Sequence, residues 1–154
     1  MFQVKAMLNT IDIAIIRGLK AVSSPLARFA IFAIFFWFGA LKLIGASPAN
    51  PLVADLLEKT LPFITFEQFI IFFGIYEMIV GITFLIPRLE RLAIALLIPH
   101  MIITFLPLFL LPTITWQGPF VPTLEGQYII KNLVIIALAF SVASHLHPEE
   151  ENPK

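Results

Sequence analysis

Cysteine is absent from the chain, and charged side chains are scarce. Without cysteine there are no disulfides, thiolate nucleophiles, iron–sulfur ligands or cysteine zinc sites, and a quinone-coupled thiol oxidoreductase is excluded. Charged residues make up 13% of the chain, whereas a soluble domain usually carries about 25%. The net charge is zero and no basic block is present, so we expect no nucleic-acid partner. No phosphate loop, nucleophile elbow or metal-ligand cluster appears in the sequence, and no metal is expected.

Hydrophobic residues dominate what remains. They account for 59% of the 154 residues, and the mean hydropathy is +0.95. Such a chain has too few polar groups to cover a surface in water, so the lipid bilayer is its expected solvent. We therefore predict an all-α membrane protein: a bundle of four transmembrane helices with an N-terminal amphipathic interfacial helix and no separate catalytic domain.

Four apolar stretches predict the transmembrane helices, at residues 26–46, 66–86, 92–111 and 128–144. The first would reach about 31 Å at 1.5 Å per residue, which is enough to cross the hydrocarbon core. Together they form a predicted bundle over residues 24–145, followed by a disordered acidic tail at 146–154. Pro99 and Pro107 are expected to kink the third helix.

Residues 1–23 predict a separate amphipathic helix, which the Ser23-Ser24-Pro25 sequence would end. Spacings of four and three residues place its apolar side chains on one face: Val4, Leu8, Ile11, Ile15, Leu19 and Val22. The segment is too polar to span a membrane, and it has no small-residue cleavage site of a signal peptide. We expect it to lie in the membrane interface, with packing against the cytoplasmic end of the bundle as the alternative.

The connections between the helices predict the orientation of the bundle. Loop 47–65 is expected to hold a short amphipathic helix around Leu56 and Leu57, and loop 112–127 contains Trp116 as an interface anchor. These outer loops hold one lysine, Lys59, besides two lysines within or near the spans. The opposite side holds most of the basic residues: Lys5, Arg17, Lys20, Arg28, Arg88, Arg91 and Lys154. The positive-inside rule therefore predicts that both termini are cytoplasmic.

Three charged residues stand out within the predicted helices. Lys42 is near the outer end of the first, Glu77 near the middle of the second, and Lys131 near the outer end of the fourth. A charged side chain within a span costs about 3 kcal/mol by insertion scales, so it usually faces the bundle interior and a partner. We predict that the three line one polar pocket, with Lys42 paired to Glu77. Such a pocket would suit an anion, or a carbonyl or quinone head group.

Glycines accompany two of these charges. Gly74 and Gly81 lie three residues before and four residues after Glu77, and Gly39 lies three residues before Lys42. Residues at these spacings share a helix face. Because glycine lets a neighbouring backbone approach closely, we predict that these glycines pack the helices at the site.

A structural interpretation of the same charges stays open. Lys42 and Lys131 lie near helix ends, where lysines often extend to the interface, and a protonated Glu77 would simply hydrogen-bond a neighbouring helix. His100 lies within the third helix without another histidine at its depth, so haem ligation is not expected. His100 is expected to hydrogen-bond within the core.

Several short motifs resemble the DoxX-like family of small membrane proteins. Residues 36–43 (FWFGALKL) resemble the first-helix signature of that family, and Glu77 with Gly81 resembles its Glu-x-x-x-Gly pattern. Residues 50–54 (NPLVA) and 126–132 (GQYIIKN) resemble the YkgB-like branch. The resemblance implies a four-helix bundle in a bacterial or archaeal cytoplasmic membrane, associated with thiosulfate:quinone oxidoreduction, redox balance or resistance to oxidants. The family residues that it implies are Gly39, Lys42, Glu77 and Gly81 and, for the YkgB-like branch, Lys131.

Three functions are consistent with the sequence. The first is a redox-associated protein that binds a quinone, or a small oxidised or anionic molecule, through Lys42, Glu77 and Lys131. The second is a non-catalytic structural or assembly subunit of a larger membrane complex, and the third is an oligomeric small-solute carrier. Quinone is the one cofactor that the sequence suggests, and we do not expect the chain to be an enzyme on its own.

Overall fold

The computed structural model describes the backbone of residues 2–144 and the side chains of residues 8–144. Four helical segments of this part are long and apolar enough to cross a membrane: Leu8–Leu43, Phe66–Leu85, Glu90–Leu110 and Leu124–Ala143. The all-α membrane bundle predicted from the sequence is therefore confirmed. The predicted tail at 146–154 lies outside the described residues.

The first helix, α1, runs from Phe2 to Leu43 without interruption. The predicted break at Ser23-Ser24-Pro25 is therefore wrong. A proline inside a helix removes one N–H donor, here the donor to the carbonyl of Ala21, but its φ angle is helical. The side chains described from Leu8 to Ser23 are all exposed. We call residues 2–26, the part of α1 that precedes its first buried side chain among those described, Ala27, the N-terminal arm.

The ends of the first two spans are fixed by local hydrogen bonds. Gly45, with φ of +72°, follows α1. Its N–H donates to the carbonyl of Lys42, and the N–H of Ala46 donates to that of Leu41, which is a Schellman motif. The next element, α2 (Asn50–Thr60), is the short helix predicted in the first outer loop. Helix α3 (Phe66–Leu85) then begins at Thr65, whose side chain accepts a hydrogen bond from the N–H of Gln68.

The third and fourth spans are each divided in two. Helix α4 (Glu90–Phe105) includes Pro99 without interruption, and Pro107 begins the separate short helix α5 (Pro107–Leu110). Helices α7 (Leu124–Ile130) and α8 (Asn132–Ala143) meet at Lys131. The second outer loop, between α5 and α7, contains α6 (Pro112–Thr115) and an antiparallel hairpin of β1 (Trp116–Gly118) and β2 (Val121–Pro122).

The spans form a closed ring in which α1 contacts α3 and α8, and α4 also contacts α3 and α8. Their shared core is apolar: Ile31, Phe35, Val80, Phe84, Ala93, Leu97, Met101, Ile135 and Ala139. Arg28 joins three elements at one end, because its guanidinium donates to the carbonyl of Phe84 and to the side chain of Glu90. The polar residues described next lie beside this core.

Candidate functional site: a buried ion pair joining three helices

Lys42 and Glu77 form an ion pair inside the bundle. The Lys42 Nζ donates a hydrogen bond to Glu77 Oε2 over 2.6 Å. Lys42 is 5% exposed and Glu77 is 6% exposed. The predicted pairing of the two residues is confirmed, and it explains how a carboxylate can lie near the middle of a membrane span.

His100 from α4 completes the cluster. Its Nε2 lies 3.0 Å from Glu77 Oε1, and its Nδ1 lies 3.2 Å from the hydroxyl of Thr104. Because a carboxylate only accepts, the contact with Glu77 requires a proton on Nε2. The hydroxyl of Thr104 donates to the backbone carbonyl of His100 over 2.9 Å. The expectation that His100 hydrogen-bonds within the core is confirmed. Lys42, Glu77 and His100 are called the charge cluster below.

Aromatic rings enclose the charge cluster. The rings of Phe73 and His100 are stacked with centroids 5.2 Å apart, and Phe35 meets the imidazole edge-on at 4.9 Å. The Lys42 ammonium lies 5.3 Å from the Phe73 ring centroid. Such surroundings exclude water and lower the local dielectric, which strengthens hydrogen bonds to charged groups. The cation–π contact further stabilises the ammonium.

The glycines predicted to pack at the site bring α1 and α3 together. A Cβ atom on Gly39 would lie 2.5 Å from the Gly74 carbonyl oxygen, and one on Gly74 would lie 2.8 Å from that of Gly39. About two turns away along both helices, a Cβ on Gly81 would lie 3.1 Å from the carbonyl oxygen of Phe32. The backbones therefore approach closely enough for Lys42 to reach across to Glu77.

Lys131 lies outside the charge cluster, contrary to the sequence-based expectation. Its side chain is exposed, and its ammonium lies 5.0 Å from the ring centroid of Tyr128. The junction between α7 and α8 places Ile129 and Ile135 in the interior instead. This exposed position agrees with the alternative interpretation of the sequence, in which a lysine near a helix end extends to the interface.

Two members of the network were missed as site residues. His100 was predicted only to hydrogen-bond within the core, and Thr104 was not among the predicted site residues. Their spacing of four residues on an apolar helix was an available signal, because it places the two polar groups on one face. His100 also lies near the middle of the third span, Glu90–Leu110, as Glu77 lies near the middle of the second, so the two residues are at similar depths in the membrane.

The arrangement forms a chain of four hydrogen-bonding side chains that crosses from α1 through α3 to α4. Its order is Lys42, Glu77, His100 and Thr104. The carboxylate and the imidazole can each accept and release a proton, and lysine offers an ammonium with three N–H groups. Among residues 8–144, the structure gives that ammonium a single hydrogen-bond acceptor, Glu77.

Comparisons of the chain with models of protein families, with curated proteins and with solved structures find no match.

Proposed function

We propose that this membrane protein is redox-associated and binds a quinone, or a similar small oxidised or anionic molecule, at the charge cluster. The observation that carries the proposal is the buried Lys42–Glu77–His100 network. Carbonyl and anionic oxygens accept hydrogen bonds, and Lys42 has two N–H groups beyond the one donated to Glu77. A ligand oxygen beside the ammonium would gain a charge-assisted hydrogen bond in a low-dielectric site.

Proton transfer is a second reason to favour a quinone over a simple anion. Reduction of a quinone to a quinol takes up protons as well as electrons, and Glu77 and His100 are titratable groups in direct hydrogen-bonding contact. Electrons would come from a redox partner, in keeping with the expectation that the chain is not an enzyme on its own. The resemblance to DoxX-like proteins supports the same class of function.

A structural or assembly subunit is the second candidate, and one observation favours it. The charge cluster is closed: all three members are 6% exposed or less, and the imidazole is packed against the rings of Phe35 and Phe73. A closed network of this kind can hold three helices in register without a ligand. Binding would then require the aromatic side chains to move.

The ligand test uses protein purified gently from its native membrane, with copurifying small molecules and polypeptides identified by mass spectrometry. We expect stoichiometric quinone, or another oxidised or anionic small molecule, with the wild-type protein. The Lys42→Met/Glu77→Gln double variant should lose it, because the ammonium that would bind the ligand is gone while no charge is left unpaired. Lys131→Met should retain it.

The control and the double variant make the two candidates distinguishable. Lys131→Met removes an ammonium of the same type from outside the charge cluster. The double variant must show the circular dichroism spectrum and the cooperative unfolding of a folded bundle, so that ligand loss reports on the site. Identical partner polypeptides and no small molecule in all three samples would refute the binding proposal and support the structural subunit.

We also propose that both termini of this chain face the cytoplasm, in a bacterial or archaeal inner membrane. The end of the bundle at the α3–α4 turn and the N-terminal arm hold five basic and two acidic residues among those described: Arg17, Lys20, Arg28, Arg88, Arg91, Asp12 and Glu90. Outside the charge cluster, the other end of the bundle holds two basic and four acidic residues: Lys59, Lys131, Asp55, Glu58, Glu67 and Glu125. The positive-inside rule supports this orientation.

Cysteine labelling tests the orientation directly, because the chain has no cysteine of its own. A membrane-impermeant maleimide added to intact cells should label a Gln117→Cys variant, at the exposed hairpin, and leave an Ile86→Cys variant unlabelled until the cells are lysed. Both positions are exposed and uncharged, so neither substitution alters the charge distribution. Labelling of Ile86→Cys alone in intact cells would reverse the assignment.

A further inference from the structure

The N-terminal arm extends beyond the bundle. The side chains from Leu8 to Ser23 are all exposed. Ala27 is the first buried side chain of α1 among those described, and Arg28 donates a hydrogen bond to the end of α3. The whole of α1 has 42 residues. At 1.5 Å per residue it would measure about 63 Å, roughly twice the thickness of a hydrocarbon core. A single straight crossing therefore leaves the arm outside the membrane interior.

The apolar face of the arm is in phase with the lipid-facing side of the span. At about 100° per residue, Ile15 and Leu19 lie within about 40° of Trp37, further along the same helix. Trp37 is 65% exposed and Phe29, on the same side, is 57% exposed, so this side of α1 faces away from the bundle. The apolar face comprises Leu8, Ile11, Ile15, Leu19, Val22 and Leu26, all exposed.

The opposite face of the arm is in phase with the bundle-facing side. Arg17 and Lys20 lie on it, at angular positions close to those of the buried Ile31 and Phe35. This phase determines in which direction the arm can meet the membrane. An arm that turns outward, away from the bundle, presents its apolar face to the bilayer and its cations to the head groups, whereas an arm that turns inward presents the apolar face to water.

The sequence around Pro25 offers a position for that turn. Pro25 has no N–H, so the Ala21 carbonyl lacks its helical donor, and the hydroxyl of Ser23 donates to the Lys20 carbonyl over 3.3 Å. Sharp bends of helices occur at proline and at serine side chains that compete for backbone carbonyls. The helix is therefore weakest between the arm and the span.

We infer that the arm binds the surface of the membrane that the bundle spans, turned outward at Ser24 and Pro25, with its apolar face inserted and Arg17 and Lys20 on anionic lipid head groups. Two features of the structure favour lipid as the occupant. The apolar face continues the lipid-facing side of the same helix, and the adjacent end of the bundle adds the exposed cations Arg88 and Arg91. Basic clusters beside a membrane are attracted to anionic lipids.

The test compares two isoleucines on opposite faces of the arm. Ile13 and Ile15 are both exposed, and they lie about 160° apart around the helix. Full-length Ile13→Cys and Ile15→Cys variants carry a nitroxide spin label in phosphatidylcholine vesicles that contain phosphatidylglycerol. We expect the label at position 15 to collide several-fold more with oxygen than with a water-soluble nickel chelate, and the label at position 13 to show the reverse preference.

The other outcomes each contradict a stated part of the inference. High nickel accessibility at both positions would place the arm in water and overturn it. Spin–spin broadening at position 15 would identify a second copy as the occupant. An Arg17→Gln/Lys20→Gln background should reduce the contrast between the two positions in vesicles with phosphatidylglycerol, and an unchanged contrast would refute the role of anionic head groups.

Discussion

Replacement of Lys42 by methionine is expected to lower the free energy of unfolding by about 3 kcal/mol, because breaking a buried ion pair leaves the other charge uncompensated. Methionine retains the unbranched shape of the lysine stem, so the loss reports on the ammonium rather than on packing. Glu77 would keep the hydrogen bond from His100. The expected loss is therefore at the lower end of the range found when buried ion pairs are broken. Unfolding in mixed micelles, titrated with sodium dodecyl sulfate and followed by circular dichroism, measures the change.

A double-mutant cycle separates the ion pair from its surroundings. Glu77→Gln alone should also destabilise the bundle, because it leaves the Lys42 ammonium buried without a carboxylate. The Lys42→Met/Glu77→Gln variant should recover most of the loss, since it removes both charges and keeps an amide beside His100. The coupling energy from this cycle is the part of the stability change that is due to the interaction between Lys42 and Glu77.

Lys131→Met provides the matched control for this cycle. Lys131 is exposed and contacts the ring of Tyr128. Methionine at this position should therefore change the free energy of unfolding by less than about 0.5 kcal/mol. Equal effects of Lys42→Met and Lys131→Met would show that the Lys42–Glu77 pair is not buried in the folded protein.

The features that the sequence predicted well are those set by composition and by depth. Hydropathy located the four spans because a membrane helix must be both long and apolar. The pairing of Lys42 with Glu77 followed because each charge needs a partner, and glycines at spacings of three and four marked the face on which that partner approaches. Each of these features depends only on the position of a residue along its own helix.

The features that the sequence missed depend on how neighbouring segments rotate or continue. Lys131 has the right depth for the charge cluster, but the α7–α8 junction turns it outward. Pro25 was expected to end a helix, yet α1 continues through it because only one backbone hydrogen bond is lost. The hairpin at Trp116–Pro122 has too few residues to show a strand pattern.

The second large effect is expected at Gly39, where replacement by alanine should destabilise the bundle by about 2 kcal/mol, as overpacking of a close contact does. The new methyl group would lie 2.5 Å from the Gly74 carbonyl oxygen and 2.8 Å from the Met78 side chain. The methionine can move, but the carbonyl belongs to the α3 backbone, so the helices must separate. Unfolding in mixed micelles measures the loss.

Two comparisons determine whether close approach is the cause. Gly18→Ala, on the arm, meets nothing within 4 Å and should stabilise α1 by up to about 1 kcal/mol through helix propensity. Gly81→Ala should cost less than Gly39→Ala, because its nearest atom would lie at 3.1 Å. Equal effects at all three glycines would mean that α1 and α3 are not in close contact.

The Gly39→Ala substitution should also weaken the ion pair between Lys42 and Glu77. Lys42 lies about one turn beyond Gly39, and its Cβ would be 3.2 Å from a Cβ on Gly74. The distance between the α1 and α3 backbones at these glycines therefore also determines whether Lys42 can reach Glu77. If Gly39→Ala separates the helices, the coupling energy between Lys42 and Glu77 should fall when the double-mutant cycle is repeated in that background. An undiminished coupling energy would show that the ion pair forms independently of the glycine contact.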